Sequence, residues 1–160
     1  MWGIVVDDRL PGTPAEPTAA VTHDVFVSYR QTDPDLRWVA DRLVPRLQQE
    51  DIRVFVDYLS FRVGVPVLAE IERAVLSCRY TLAVLTPAYL ASAYGHVAAV
   101  LARRFGPEQR ERRLIAVRLD LATELPPGFR AAHVLDAGPD RPFGELIVRL
   151  AAVLRQDPDA

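Results

Sequence analysis

The stretch HDVFVSYRQTDPDLRWVADRLVPRLQQEDIRVFVD, residues 23–57, reads as one strand–helix–strand unit. Val25-Phe26-Val27 is a short unbroken apolar run ending at Ser28, the pattern of a strand buried on both faces. Thr32, Asp33 and Asp35 then offer helix N-cap chemistry, with Pro34 tolerated in the first turn. Leu36, Val39, Ala40, Leu43 and Leu47 follow at helical spacing, and Pro45 inside that run predicts a kink. Val54-Phe55-Val56 is a second strand, ending at Asp57.

The same alternation continues outward. A loop with Gly64 and Pro66 leads to a helix through Leu68, Ile71, Ala74 and Val75. Residues 81–85 form a third strand stopped by Thr86-Pro87, and residues 94–105 a helix. A polar loop with Gly106, Pro107 and a cluster of Arg and Glu comes next. Residues 114–119 are a fourth strand, Val134-Leu135 a fifth, and residues 143–154 a final amphipathic helix. This order predicts an α/β fold: a flavodoxin-like, open, parallel five-stranded sheet with helices on both faces. The domain spans residues 23–155. Residues 1–22, with Pro11, Gly12, Pro14 and Pro17, read as an extended leader holding at most a short strand at 4–6. Residues 156–160 read as a polar tail or the start of a linker. Sheets of this kind bind ligands at the carboxyl ends of their strands, which points to residues 28–31, 57–64, 86–94 and 120–123.

Composition narrows the chemistry. The chain has 160 residues, half of them apolar, and a net charge of −2, which argues against a general phosphate-backbone binder. All 19 basic residues are Arg. Schiff-base, Walker-A and receiver-type lysine chemistry are therefore excluded. The single cysteine, Cys78, forms no internal disulfide and reads as a small buried hydrophobe, and three His without an HExxH arrangement do not make a zinc hydrolase. No apolar run approaches the roughly 20 residues that span a bilayer, and the first residues lack a secretory pattern, so a cytoplasmic protein is expected. A phosphorylatable receiver would use Asp7-Asp8, Asp57 and Thr86, but its lysine is missing and a proline-rich segment follows the acidic pair.

His23-Asp24-Val25-Phe26-Val27-Ser28-Tyr29 resembles the opening strand of a Toll/interleukin-1 receptor (TIR) domain of bacterial type. Trp38, then Asp51-Ile52-Arg53-Val54-Phe55-Val56-Asp57, resemble its next helix and strand. The spacing Gly64, Ile71, Ala74, Ser77 is similar to the segment after the so-called BB loop, and residues 82–89 with Ser92 to the third strand and the turn beyond it. The match covers about residues 23–154.

The resemblance implies an effector domain related to enzymes that cleave NAD+ at the nicotinamide–ribose bond. A carboxylate beside the ribose stabilises the oxocarbenium character of that transition state. The family places it in a pattern resembling W-x-x-x-E, whose spacing puts the aromatic and the acid on one helix face. Here Tyr94 stands at the aromatic position and Ala98 at the position of the catalytic glutamate. A methyl group neither carries charge nor accepts a hydrogen bond, and no other acid lies between Ser92 and Phe105, so little or no hydrolase activity is expected. Either a glutamate has been removed or the domain serves assembly alone; Ala98-Ala99 is also plain helix-forming sequence. For NAD+ as substrate, the resemblance implies a pocket of Ser28, Tyr29, Arg30, Asp57, Phe61 and Tyr94, with no cofactor and no metal ion. Arg30 reads equally as a surface charge, and Asp57 as a structural cap. Tyr58, Leu59 and Phe61 form an apolar loop tip, either a lid or interaction surface or a segment folded back on the sheet. The implied partners are further TIR domains, met through the BB loop from Tyr58 to Gly64, and a fused or associated sensor module. Neither membrane nor nucleic acid is an expected partner. The alternative is a TIR–TIR scaffold without enzymatic activity. Ala98→Glu separates the two, because restoring the acid is expected to bring NAD+ consumption to clustered protein.

Overall fold

A computed structural model describes residues 20–160. The strand expected at 4–6 and the Asp7-Asp8 pair lie outside the described residues. Five parallel strands, β1 (His23–Ser28), β2 (Val54–Phe55), β3 (Cys78–Leu85), β4 (Leu114–Arg118) and β5 (Val134–Asp136), pair in the order β2-β1-β3-β4-β5. Between β1 and β3 the chain reverses its direction of travel across the sheet. That is the switch point at which such sheets open a cleft.

The continuous apolar runs of the strands are explained by burial on both sides. Val25, Val27, Leu82, Val84, Ile115 and Val117 face one layer, which receives Leu43 and Leu47 and, from α8 (Phe143–Leu154), Ile147, Leu150 and Leu154. Phe26 and Phe55 face the other, which receives Ile71, Ala74 and Val75 of α4 (Val67–Ser77) and Val97, Val100 and Leu101 of α6 (Tyr94–Arg104). Cys78 is buried there, and burial pushes its thiol pKa up, so it packs as a small hydrophobe. Trp38 packs against the first layer, edge-on to Phe143 at 6.1 Å.

Where Pro45 predicts a kink, the first helix changes its winding. It runs as α1 (Asp35–Trp38), a π-helical turn (Val39–Leu43) and α2 (Val44–Gln49), with Pro45 in the first turn of α2. A proline lacks the N–H for the bond to the preceding turn and crowds that turn's carbonyl; the wider turn lets the helix continue past it. The expected N-cap also differs, since Pro34 occupies that place and no side chain caps the helix.

Three short helices appear where loops and turns were expected. A single turn, α3 (Asp57–Ser60), follows β2. Thr86 caps α5 (Pro87–Ser92), its hydroxyl accepting the Tyr89 N–H at 3.1 Å. The polar Arg/Glu segment is α7 (Pro107–Arg113), with Pro107 opening it, Glu108 in its first turn and three Arg in its last. That charge order complements the helix dipole, but no residue of α7 is buried, so no apolar periodicity announced it. Its arginines are not balanced by their own helix: Arg113 pairs with Asp159, while Arg103 and Arg104 of α6 reach Glu72.

Residues 154–159 lie along the N-terminal rim of the sheet. Arg79 Nη2 donates to the Leu154 and Gln156 carbonyls at 2.7 and 2.6 Å, and the Tyr80 hydroxyl donates to Gln156 at 3.1 Å.

Candidate functional site

The strand ends on both sides of the switch point are tied together by side-chain hydrogen bonds. The Tyr29 hydroxyl, just past β1, donates to Asp57 Oδ1 at 2.6 Å, just past β2. Burial, and then the carboxylate beside it, push the Tyr29 phenol well above its ordinary value, so it stays a donor. Ser28 Oγ and the Tyr89 hydroxyl lie 2.8 Å apart in the interior, and Thr86 Oγ1 donates to the buried Asp35 at 3.1 Å. The segments after β1, β2 and β3 are fixed to one rim in this way.

They frame a cleft of about 430 Å³ at the carboxyl ends of β1 and β2. Ser28, Tyr29, Arg30, Asp57 and Phe61, all named from sequence, line it together. Gln31 and Thr32 extend its floor, Val67 and Ile71 close one wall, and α6 with its preceding turn contributes Ser92, Ala93, His96 and Val97 to the other. Arg30 has no ion-pair partner among the described residues. Among the described residues Asp57 is the only acid on the lining, and its Oδ1 already accepts the Tyr29 hydrogen bond.

Tyr94 and Ala98 are not on this lining. They share a face, as their spacing requires, but that face borders a second cavity of about 390 Å³, with Leu101, Arg110, Glu111 and Gly128. The phase of α6 is set by Val97, Val100 and Leu101, which bury against the sheet. With those inward, Ser92 and His96 turn to the cleft, while Tyr94 stacks toward Tyr89 and Phe129, each at 6.0 Å. His96 is the cleft residue that sequence reasoning missed. It lies two residues past the strand-end stretch 86–94, and that proximity is the available signal.

The loop after β2 resolves the open choice about its tip residue by residue. Phe61 folds back, its ring 6.3 Å from Phe26 and 6.2 Å from Phe55. Tyr58, Leu59, Val63, Val67 and Leu68 stay outside, Val63 with its side chain wholly in solvent at 102% relative exposure. Beneath them Glu70 of α4 is 1% exposed. It accepts the Arg62 backbone N–H at 2.6 Å and the guanidinium groups of Arg73 and Arg62, each at 2.8 Å. An acid beside Ile71 and four residues before Ala74 sits in the buried stripe of the helix, a position the sequence reading did not single out. Bonds from Arg73, then from Arg62, outweigh burial and hold its carboxyl far below the ordinary 4.5. Because the folded value is depressed, the stabilisation is complete above about pH 4.5 and is lost as pH falls toward the folded value. Denaturant melts are therefore expected to show a constant stability gap between wild type and Glu70→Gln at neutral pH, narrowing below pH 4.5.

Among the described residues no group of three or more His, Cys, Asp and Glu side chains converges to hold a cation, and no helix is long and apolar enough to cross a membrane.

A family model described as TIR domain matches residues 25–147. The chain belongs to the TIR family. No curated protein matches it. Among solved structures, the TIR domain of the Toll-related receptor TRR-2 from Hydra magnipapillata superposes with a TM-score of 0.65 at 22% identity, covering 84% of this chain and 100% of that one. A prokaryotic SEFIR domain gives 0.66 at 17% identity over 87% and 96%. A metazoan TIR-STING receptor from C. gigas gives 0.65 at 16% identity over 91% of this chain but 44% of its own. At these identities the likeness establishes the TIR fold. The neighbours span animals and prokaryotes and do not single out a bacterial type.

Proposed function

We propose that this TIR domain acts in signalling by assembling with further copies of itself through the loop between β2 and α4, and that it does not hydrolyse NAD+. The observation that carries this reading is the loop tip, where Tyr58, Leu59, Val63, Val67 and Leu68 are exposed together. Several large exposed apolar groups on one loop and the helix turn that follows it mark a contact surface. The cleft supports the second half of the reading. Catalysis at the nicotinamide–ribose bond needs a carboxylate free to face the developing positive charge. The one acid on the lining among the described residues is engaged by Tyr29, and the end of α5 and the first turn of α6 offer Ser92 and His96 instead.

Sedimentation velocity across a concentration series, with NAD+ consumption measured on the same samples, tests it. Wild type is expected to self-associate without consuming NAD+, and Val63→Asp to weaken association by at least about tenfold, since it buries a charge in an apolar contact. Unchanged association of Val63→Asp would sink the assembly reading.

A second reading, a hydrolase lineage whose pocket persists without its acid, is favoured by the meeting of Ser28, Tyr29, Arg30, Asp57 and Phe61 in one cleft. A glutamate at 98 would enter the second cavity beside Arg110. Ala98→Glu is accordingly expected to remain inactive even when clustered, and NAD+ consumption by that variant would favour the second reading.

A further inference from the structure

We infer that Glu70 is the positioning residue of the assembly surface: its buried carboxylate fixes the loop tip as a rigid apolar platform, which the apolar face of a second copy meets in that one conformation. The inference rests on the assembly reading and adds to it what shapes the surface.

The loop is anchored at both ends of its tip. On the near side, α3 winds residues 57–60 into a turn closed by Ser60 N–H to the Val56 carbonyl at 2.8 Å and Phe61 N–H to the Asp57 carbonyl at 3.0 Å. Arg73 Nη2 holds the Ser60 carbonyl at 2.7 Å while its guanidinium lies over the Phe55 ring at 5.0 Å and bonds Glu70. On the far side, Arg62 gives Glu70 its backbone N–H, its Nε and its Nη2. Between Arg62 and α4 the chain turns at Gly64, whose φ of +85° is the left-handed region that favours glycine. Five hydrogen bonds thus end on one carboxylate, three from the loop and two from Arg73.

A carboxylate this deeply buried is tolerable only while its partners stay in place. Any swing of residues 60–62 away from α4 would remove the three Arg62 bonds and leave the buried carboxylate to Arg73 alone, so the loop is held by the penalty for leaving. The same arrangement sets what the platform offers. Glu70 pairs with the guanidinium groups of both Arg62 and Arg73, so the outward face offers Leu59, Val63, Val67 and Leu68 beside the mostly exposed Arg62 side chain. A surface of that chemistry fits a largely apolar partner face. Because the loop is ordered before contact, little further ordering opposes association.

Amide hydrogen exchange and sedimentation velocity on the full chain, in wild type, Glu70→Gln, Arg62→Met and Val63→Asp, test this. Arg62→Met touches a mostly exposed side chain and keeps the Arg73 pair, so it remains informative where Glu70→Gln fails to fold. Under dilute conditions, exchange across residues 58–66 is expected to quicken at least about tenfold in both clamp variants, while β1 and β3 amides keep their protection. Association should weaken on the order of tenfold in both, with exchange in Val63→Asp unchanged. Unaltered loop exchange in the clamp variants overturns the inference, as does faster exchange with undiminished association. Should Val63→Asp associate like wild type, the assembly reading falls, and the exchange data still decide whether Glu70 orders the loop.

Discussion

Tyr89→Ala is expected to lower the free energy of unfolding by about 3–5 kcal/mol, the range for removing a large buried aromatic. Tyr89 is fully buried, packs with Ala83, Leu85 and Ala116, and shares a 2.8 Å hydrogen bond with Ser28 at the cleft. Its removal leaves a void beside Ala83 and Ala116, whose methyl groups cannot fill it. It also leaves the Ser28 hydroxyl unpaired. Tyr89→Phe separates the two effects, because it keeps the ring and loses only the hydroxyl, at a cost of roughly 1 kcal/mol. Urea melts followed by circular dichroism measure both. A loss under about 1 kcal/mol for Tyr89→Ala would mean that α5 is not seated on the sheet as described.

Leu150→Ala, on the opposite face, is expected to cost about 2–5 kcal/mol by the same cavity argument. Leu150 is wholly buried where α8 crosses the layer containing Leu43 and Leu47. Leu101 belongs to the other layer, with the sheet between them. Leu150→Ala and Leu101→Ala should therefore add to within about 0.5 kcal/mol. Their sum approaches the entire stability of an ordinary domain, roughly 5–15 kcal/mol, so the double variant is expected to be largely unfolded at 25 °C. Marked non-additivity would show the two layers to be mechanically coupled through the strands.

What could be read from the sequence follows from where the apolar residues fall. Strands such as Val25-Phe26-Val27 and the helix Phe143–Leu154 carry their burial in their own spelling, and both stand where the pattern put them. The parallel five-stranded layout was legible for the same reason, whereas the TIR family was read from a resemblance of particular stretches such as residues 23–29 and 51–57. Segments stabilised by capping and charge alone gave no such sign: α7 buries nothing, and α3 is a single turn held from beneath by Arg73. At the site, the four-residue spacing correctly placed Tyr94 and Ala98 on one face. Which way that face looks depends on how Val97 and Leu101 seat against the sheet, a tertiary fact that spacing alone does not contain. Glu70 was overlooked because an isolated acid in an amphipathic helix reads as solvated until Arg62, eight residues earlier, folds over it.

Arg79 and Tyr80 grip the chain's last residues at the foot of β3, whose eight residues carry the backbone roughly 26 Å up to the cleft. A fluorophore on that pole stays clear of the loop between β2 and α4 through which assembly is proposed. Energy transfer between separately dyed populations would then report the meeting of molecules in real time, without disturbing the contact being watched.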